Sequence, residues 1–206
     1  MSGAMLLLTI TAILIYCGLL QRVLDRMYLT DKQALWLVVA MLAGTFLPDI
    51  SLGRLQINIG GFLIPVGVCI YLLLRANQSF ERLRAILGSL ITGCAVYTAS
   101  LLLPSEPEKL LLDPMWLYGI CGGAIAWLTG RSRRGAFICG VLGVILADVA
   151  SASVAWIHGT QVRLSLGGAG IADAVVISGV IAVLFCELFG ELIERIARTA
   201  TGRRMP

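Results

Sequence analysis

Uncharged apolar runs follow one another along nearly the whole chain, and they constrain the fold more than any motif in it. A helix crossing the hydrocarbon core needs about 20 such residues, with a range of about 17 to 25. Seven runs approach or reach that length: 4–20, 34–48, 59–75, 85–103, 115–130, 135–157 and 166–190. In lipid the backbone must bond to itself, so these runs are expected to be helices. Of 206 residues, 58% are hydrophobic and 14% charged, where a soluble domain has about half and about a quarter. That deficit excludes an ordinary globular enzyme, a disordered protein and a DNA-binding domain. The reading is an integral protein of the cytoplasmic membrane whose surroundings are lipid, with no nucleic-acid partner.

Basic residues set the orientation. The first run has no Lys or Arg before it and Arg22 and Arg26 after it, the reverse of a secretory signal peptide. It is therefore expected to be a retained span with its N-terminus outside. On that scheme thirteen Lys and Arg fall on inner segments, and only Arg54, Lys109 and Arg163 on outer ones. Such a bias is what the positive-inside rule requires. Trp36, Trp116, Trp127 and Trp156 fall near span ends, as interfacial aromatics do. The C-terminus is then cytoplasmic. Glu187, Glu191 and Glu194, spaced helically beside Arg195 and Arg198, are expected to form a solvated inner stripe.

Two stretches look alike. Leu47-Pro48-Asp49, a turn and L-Q-I-N-I-G-G-F-L-I ending at Ile64 match Leu146-Ala147-Asp148, a longer turn and V-R-L-S-L-G-G-A-G-I ending at Ile171. Each reads as a helix ending near an Asp, an alternating strand, a Gly-Gly pair and another helix. The expected fold is all-α: seven transmembrane helices in a 3+1+3 parallel-repeat plan, with a short outer β element formed by one strand per half. Within a single membrane domain, residues 1–76 form the first three-helix half and 77–113 the linking helix and outer loop. Residues 114–194 form the second half and 195–206 a basic inner tail. Parallel repeats about an axis along the membrane normal are a transporter device.

The chemistry available is narrow. Cys17, Cys69, Cys94, Cys121, Cys139 and Cys186 all lie in apolar runs with no C-x-x-C pair, so they read as apolar fillers. His158 is the only histidine, which excludes a histidine-based metal centre; no metal or cofactor is expected. Ser151, Ser153 or Ser165 would need His158 as a base. Carboxylates stand out instead, because an ionisable group inside a span costs about 2.5–3.5 kcal/mol. Asp148 and Asp173 both fall inside expected spans, toward the outer face, and Asp49 is the first half's counterpart of Asp148. The candidate centre comprises Asp148 and Asp173 with Gly167, Gly168, Gly170, Arg163, Asp49 and Asn58.

Three readings of the pair stay open. In the structural one, an Asp pairs with Arg163, or Asp173 accepts backbone N–H bonds at a helix start. In the hydrolytic one, the two carboxylates share a proton and activate water against a membrane-embedded peptide. In the transport one, they relay a proton or cation, or hold a small solute, between the repeats.

Three motifs carry a family resemblance. Ile57 to Val66 (I-N-I-G-G-F-L-I-P-V), Gly140 to Asp148 (G-V-L-G-V-I-L-A-D) and Leu164 to Phe185 (L-S-L-G-G-A-G-I-A-D-A-V-V-I-S-G-V-I-A-V-L-F) resemble a prokaryotic polytopic membrane family, domain-of-unknown-function family sixteen-fourteen. The resemblance implies no activity. The order Asp148, strand Val162 to Leu166, Gly168-Ala169-Gly170 and Asp173 is similar to that of presenilin-type intramembrane aspartyl proteases, and implies a catalytic pair at Asp148 and Asp173. Here Ile171 and Ala172 separate the last glycine from the aspartate. The 3+1+3 plan resembles the small sugar exporters in architecture alone.

Overall fold

A computed structural model describes residues 30–76, 79–102, 114–130 and 132–202. The first expected span, 4–20, and most of the outer loop 104–114 lie outside the described residues. The described chain is mostly helical, with six α-helices and one small sheet. In order these are α1 (Asp31–Thr45), β1 (Ile50–Leu52), β2 (Leu55–Ile57), a π-helical turn (Ile59–Leu63) and α2 (Ile64–Arg75). Then come α3 (Ser79–Leu102), α4 (Pro114–Gly130), α5 (Arg133–Ile157), β3 (Leu164–Leu166), a 3₁₀ turn (Gly170–Ala172) and α6 (Ala174–Gly202).

Helix starts follow local chemistry. Thr30 and Gln33 close a capping box on α1, each side chain bonding the other's backbone N–H at 3.3 and 3.0 Å. Ser132 accepts the Gly135 N–H at the start of α5. By length and composition α3 and α5 are able to cross a membrane, whereas Lys32–Thr45, Ile59–Arg75, Trp116–Thr129 and Ala174–Gly190 are shorter apolar helices.

Helix α5 is the hub, packing against α2, α3, α4 and α6. Small residues let backbones approach closely. A Cβ on Gly140 would sit 2.7 Å from the Ser178 carbonyl oxygen, and one on Gly122 would sit 2.9 Å from the Gly140 Cα. The Ser178 hydroxyl donates across that contact to the Gly140 carbonyl at 3.0 Å, and Thr92 bonds within α3 to the Gly88 carbonyl. Val141, Val144, Val175, Leu72 and Ile177 fill the rest, together with the buried thiols of Cys69, Cys139 and Cys186. Cys94 and Cys121 are likewise unbridged.

Charge gathers at the end of the bundle opposite the sheet. Arg133 pairs with Glu187, while Glu81 accepts from Arg134 at 3.1 Å and from Ser132 at 3.0 Å. Arg82 donates to the Leu74 carbonyl in the last turn of α2 and to the Ala76 carbonyl just past it. The expected solvated stripe at Glu187 is thus corrected: its carboxylate is half-buried in a cross-helix ion pair.

The sheet departs from the sequence reading in three ways. A third strand, β1, forms an antiparallel hairpin with β2 around Gly53-Arg54, where Gly53 takes φ 63°. Both expected strands are also shorter than the alternation suggested. Finally, β2 and β3 do pair, in parallel, with Leu55, Gln56 and Ile57 opposite Leu164, Ser165 and Leu166. A two-fold matching Leu55 to Val162 and Ile57 to Leu164 would return that pairing as Ile57 opposite Val162. Ile57 lies opposite Leu166 instead, so the strand pair does not obey the expected symmetry. The flanking helices differ too. Helix α1 rests on the π turn and barely touches α2, whereas α5 and α6 pack along each other. The seventh expected span, 166–190, is corrected to a helix beginning at Ala174, because strand and turns occupy the residues before it, and α6 continues through the expected tail to Gly202.

Candidate functional site

At the sheet end, two glycine-containing segments cross at backbone distance. A Cβ on Gly61 would lie 2.4 Å from the Gly167 carbonyl oxygen and 2.6 Å from that of Gly170. Gly60 is as tightly held, against Met41 and Thr45 of α1. Gly167 and Gly170 take φ 71° and 63°, a region open to glycine at little cost. The crossing therefore depends on glycine twice over, through space and through backbone angle.

Asn58 pins this crossing. Its side chain is 4% exposed; its carbonyl accepts the Gly61 N–H at 2.9 Å and its amide donates to Asp49 Oδ1 at 2.8 Å. Its own N–H bonds to the Leu166 carbonyl, extending the β2–β3 ladder. Asp49 and Asn58 are thus brought together, and both support backbone rather than open space. Asn58→Ala is expected to destabilise the protein by about 1–3 kcal/mol, because a buried N–H loses its acceptor. Asp49→Ala should cost less, since Asp49 is exposed. Melting curves of the two variants in detergent check that ranking.

Asp173 has a defined post. It follows the 3₁₀ turn and directly precedes α6, and its carboxylate accepts the N–H of Val175 at 3.0 Å and that of Ala169 at 3.2 Å. It is the N-cap of α6, corrected from its expected place inside the span. Asp148 is differently placed. Half-buried on α5, it lines an open groove of about 340 Å³ with Ser151, Ala152, Val162, Arg163, Leu164 and Ser165. Arg163 is exposed and forms no ion pair among the described residues. Trp156 ties down the groove's far strand by donating from its indole N–H to the Val162 carbonyl at 2.8 Å.

Of the expected site residues, then, Asp148 and Arg163 share the groove, Asp173 caps α6, and Gly167 and Gly170 build the crossing. Gly168 is exposed next to them, where an added Cβ would meet the Ser165 hydroxyl at 2.3 Å. Ser151 and Ser165, expected only as candidate nucleophiles, are polar lining of the groove, a placement signalled by their spacing from Asp148 (i+3 on a helix) and Arg163 (i+2 along the segment entering β3). His158 is exposed at the C-terminal cap of α5. Among the described residues, no three carboxylate, thiol or imidazole groups converge as metal ligands.

No curated protein and no solved structure matches the chain. One family model does, over residues 20–185, and its description is "Protein of unknown function (DUF1614)". That match takes in the crossing, the groove and every helix from α1 to the middle of α6, so the chain belongs to the DUF1614 family.

Proposed function

We propose that the protein is a seven-span cytoplasmic-membrane protein, N-terminus outside, that binds a small solute at its outer face for passage across the membrane. The observation that carries this reading is the Asp148 groove. A half-buried carboxylate and an exposed guanidinium line one open cavity with two serine hydroxyls beside them. Opposite charges across a cleft suit a small zwitterion, its ammonium against Asp148 and its acidic group against Arg163. A partly buried acid near the membrane boundary is the kind of group transport pathways employ. The test is uptake of labelled glycine and phosphoethanolamine into vesicles holding the purified protein, with Asp148→Asn as the inactive comparison.

Orientation has its own check. With the sheet end outside, Ser51→Cys should react with a membrane-impermeant maleimide in intact cells, and Ser79→Cys only after permeabilisation. The reverse pattern would invert the topology.

One observation favours a second reading, an intramembrane aspartyl hydrolase: Asp148 lines the groove bordered by Leu164 and Ser165 of β3, and Asp173 follows that strand at the start of α6. Against it stands the cap. The Asp173 carboxylate already accepts two backbone N–H bonds at the start of α6, and turning an oxygen to share a proton with Asp148 would give one of them up. The non-catalytic scaffold reading predicts that Asp148→Asn changes nothing but stability.

A further inference from the structure

A second polar cavity lies at the opposite end of the bundle. It is a crevice of about 170 Å³ between the first turns of α3 and the α4–α5 connection, lined by Phe80, Glu81, Arg84, Ala126, Thr129 and Ser132, among others. Its charges are not equivalent. Glu81 is engaged by Arg134 and Ser132, which leaves Arg84 paired with no carboxylate among the described residues. The Arg84 guanidinium lies 4.1 Å over the Phe80 ring. That stacking fixes the plane of its donors while leaving their edge open.

We propose that this crevice binds the phosphate of an anionic phospholipid, with Arg84 as its cation; the proposal rests on the reading that this end faces the cytoplasmic leaflet. Three features converge. Guanidinium matches phosphate with two parallel N–H bonds, and the crevice is large enough for a phosphate group yet too small for a large headgroup. Phe80 lines the crevice, and Leu83 and Leu87 follow it at helical spacing on α3; the three are 58%, 51% and 48% exposed. Acyl chains attached to a phosphate at Arg84 would lie along that strip. Basic pockets between helices on the cytoplasmic side are suited to anionic headgroups.

The experiment is native mass spectrometry of the full chain after exchange into phosphatidylglycerol or phosphatidylcholine. The wild type should retain phosphatidylglycerol and not phosphatidylcholine. Arg84→Gln should lower that retention about tenfold or more, and Arg84→Lys should lower it less. Arg75→Gln should leave it unchanged, since Arg75 lies over Tyr71 on α2 and outside the crevice. Arg84 is exposed, so its replacement leaves the packing intact. Millimolar inorganic phosphate separates the two sources of the ligand. If free phosphate binds in an Arg84-dependent way and displaces the lipid, the site takes phosphate from solution. Retention of both lipids alike, or equal losses in Arg84→Gln and Arg75→Gln, overturns the proposal. Maleimide labelling at Ser79→Cys decides separately whether the topology it rests on is wrong.

Discussion

Gly61→Ala should lower the stability of this protein by about 3 kcal/mol or more, enough to deplete the folded protein. The new methyl would fall 2.4 Å from the Gly167 carbonyl oxygen, 2.6 Å from that of Gly170 and 2.9 Å from the Gly167 Cα. All three are backbone atoms, so no rotamer change relieves the overlap. Separation means opening the β2–β3 pair, the Asn58 N–H bond to Leu166 and the Asn58 side-chain bond to Gly61 together. Overpacking a core costs about 1–3 kcal/mol when side chains can yield; here they cannot, and total stability is about 5–15 kcal/mol. Gly67→Ala is the matched comparison. That glycine lies on an exposed face of α2 with nothing within 4 Å of an added Cβ, so alanine should gain up to about 1 kcal/mol from helix propensity. Detergent melting curves in which the two variants behave alike would remove the crossing as the keystone of the sheet end.

Which parts of this arrangement were legible in the sequence follows from the range of the interactions that set them. Periodicity and apolar length place α4 and α5, and the end of α3, within two residues, because each is decided by its own composition; α3 starts six residues earlier than expected, at Ser79, because its first turn carries Glu81, Arg82 and Arg84. The alternation in L-Q-I-N-I and V-R-L-S-L announced β2 and β3. It could not announce their register, which depends on Asn58 reaching Leu166 and on Gly61 seating against Gly167. Strand β1 was missed because Ile50-Ser51-Leu52 is too short to alternate visibly, although Gly53-Arg54 was a hairpin signal. The start of α6 was misplaced for a related reason. Leu166 to Ala172 is apolar and looks continuous with the helix, while the positive φ of Gly167 and Gly170 breaks it. Asp173 then falls at a cap rather than inside a turn. Asp148 reads as an acid amid apolar residues, but its groove neighbours Arg163 and Ser165 arrive from the segment around β3, farther along the chain.

Asp148→Asn and Asp173→Asn separate the functional readings, because the two carboxylates hold different posts. Asparagine at 148 keeps shape and removes charge from a groove where the acid's partner would be the ammonium of a solute. Loss of that charge-assisted contact should reduce uptake of a zwitterion probe about tenfold or more, with little change in melting temperature. Asparagine at 173 retains one oxygen for the Val175 N–H and gives up the second acceptor now serving Ala169. Its expected cost is about 1 kcal/mol of stability, with uptake preserved. A hydrolase predicts otherwise: each substitution would abolish turnover alone, since neither acid can share a proton with an amide. Loss of activity at both positions with folding intact therefore selects the paired-acid mechanism. Loss at 148 alone selects the solute groove. Full activity at 148 leaves both without their central residue, because among the described residues no other carboxylate lines that groove.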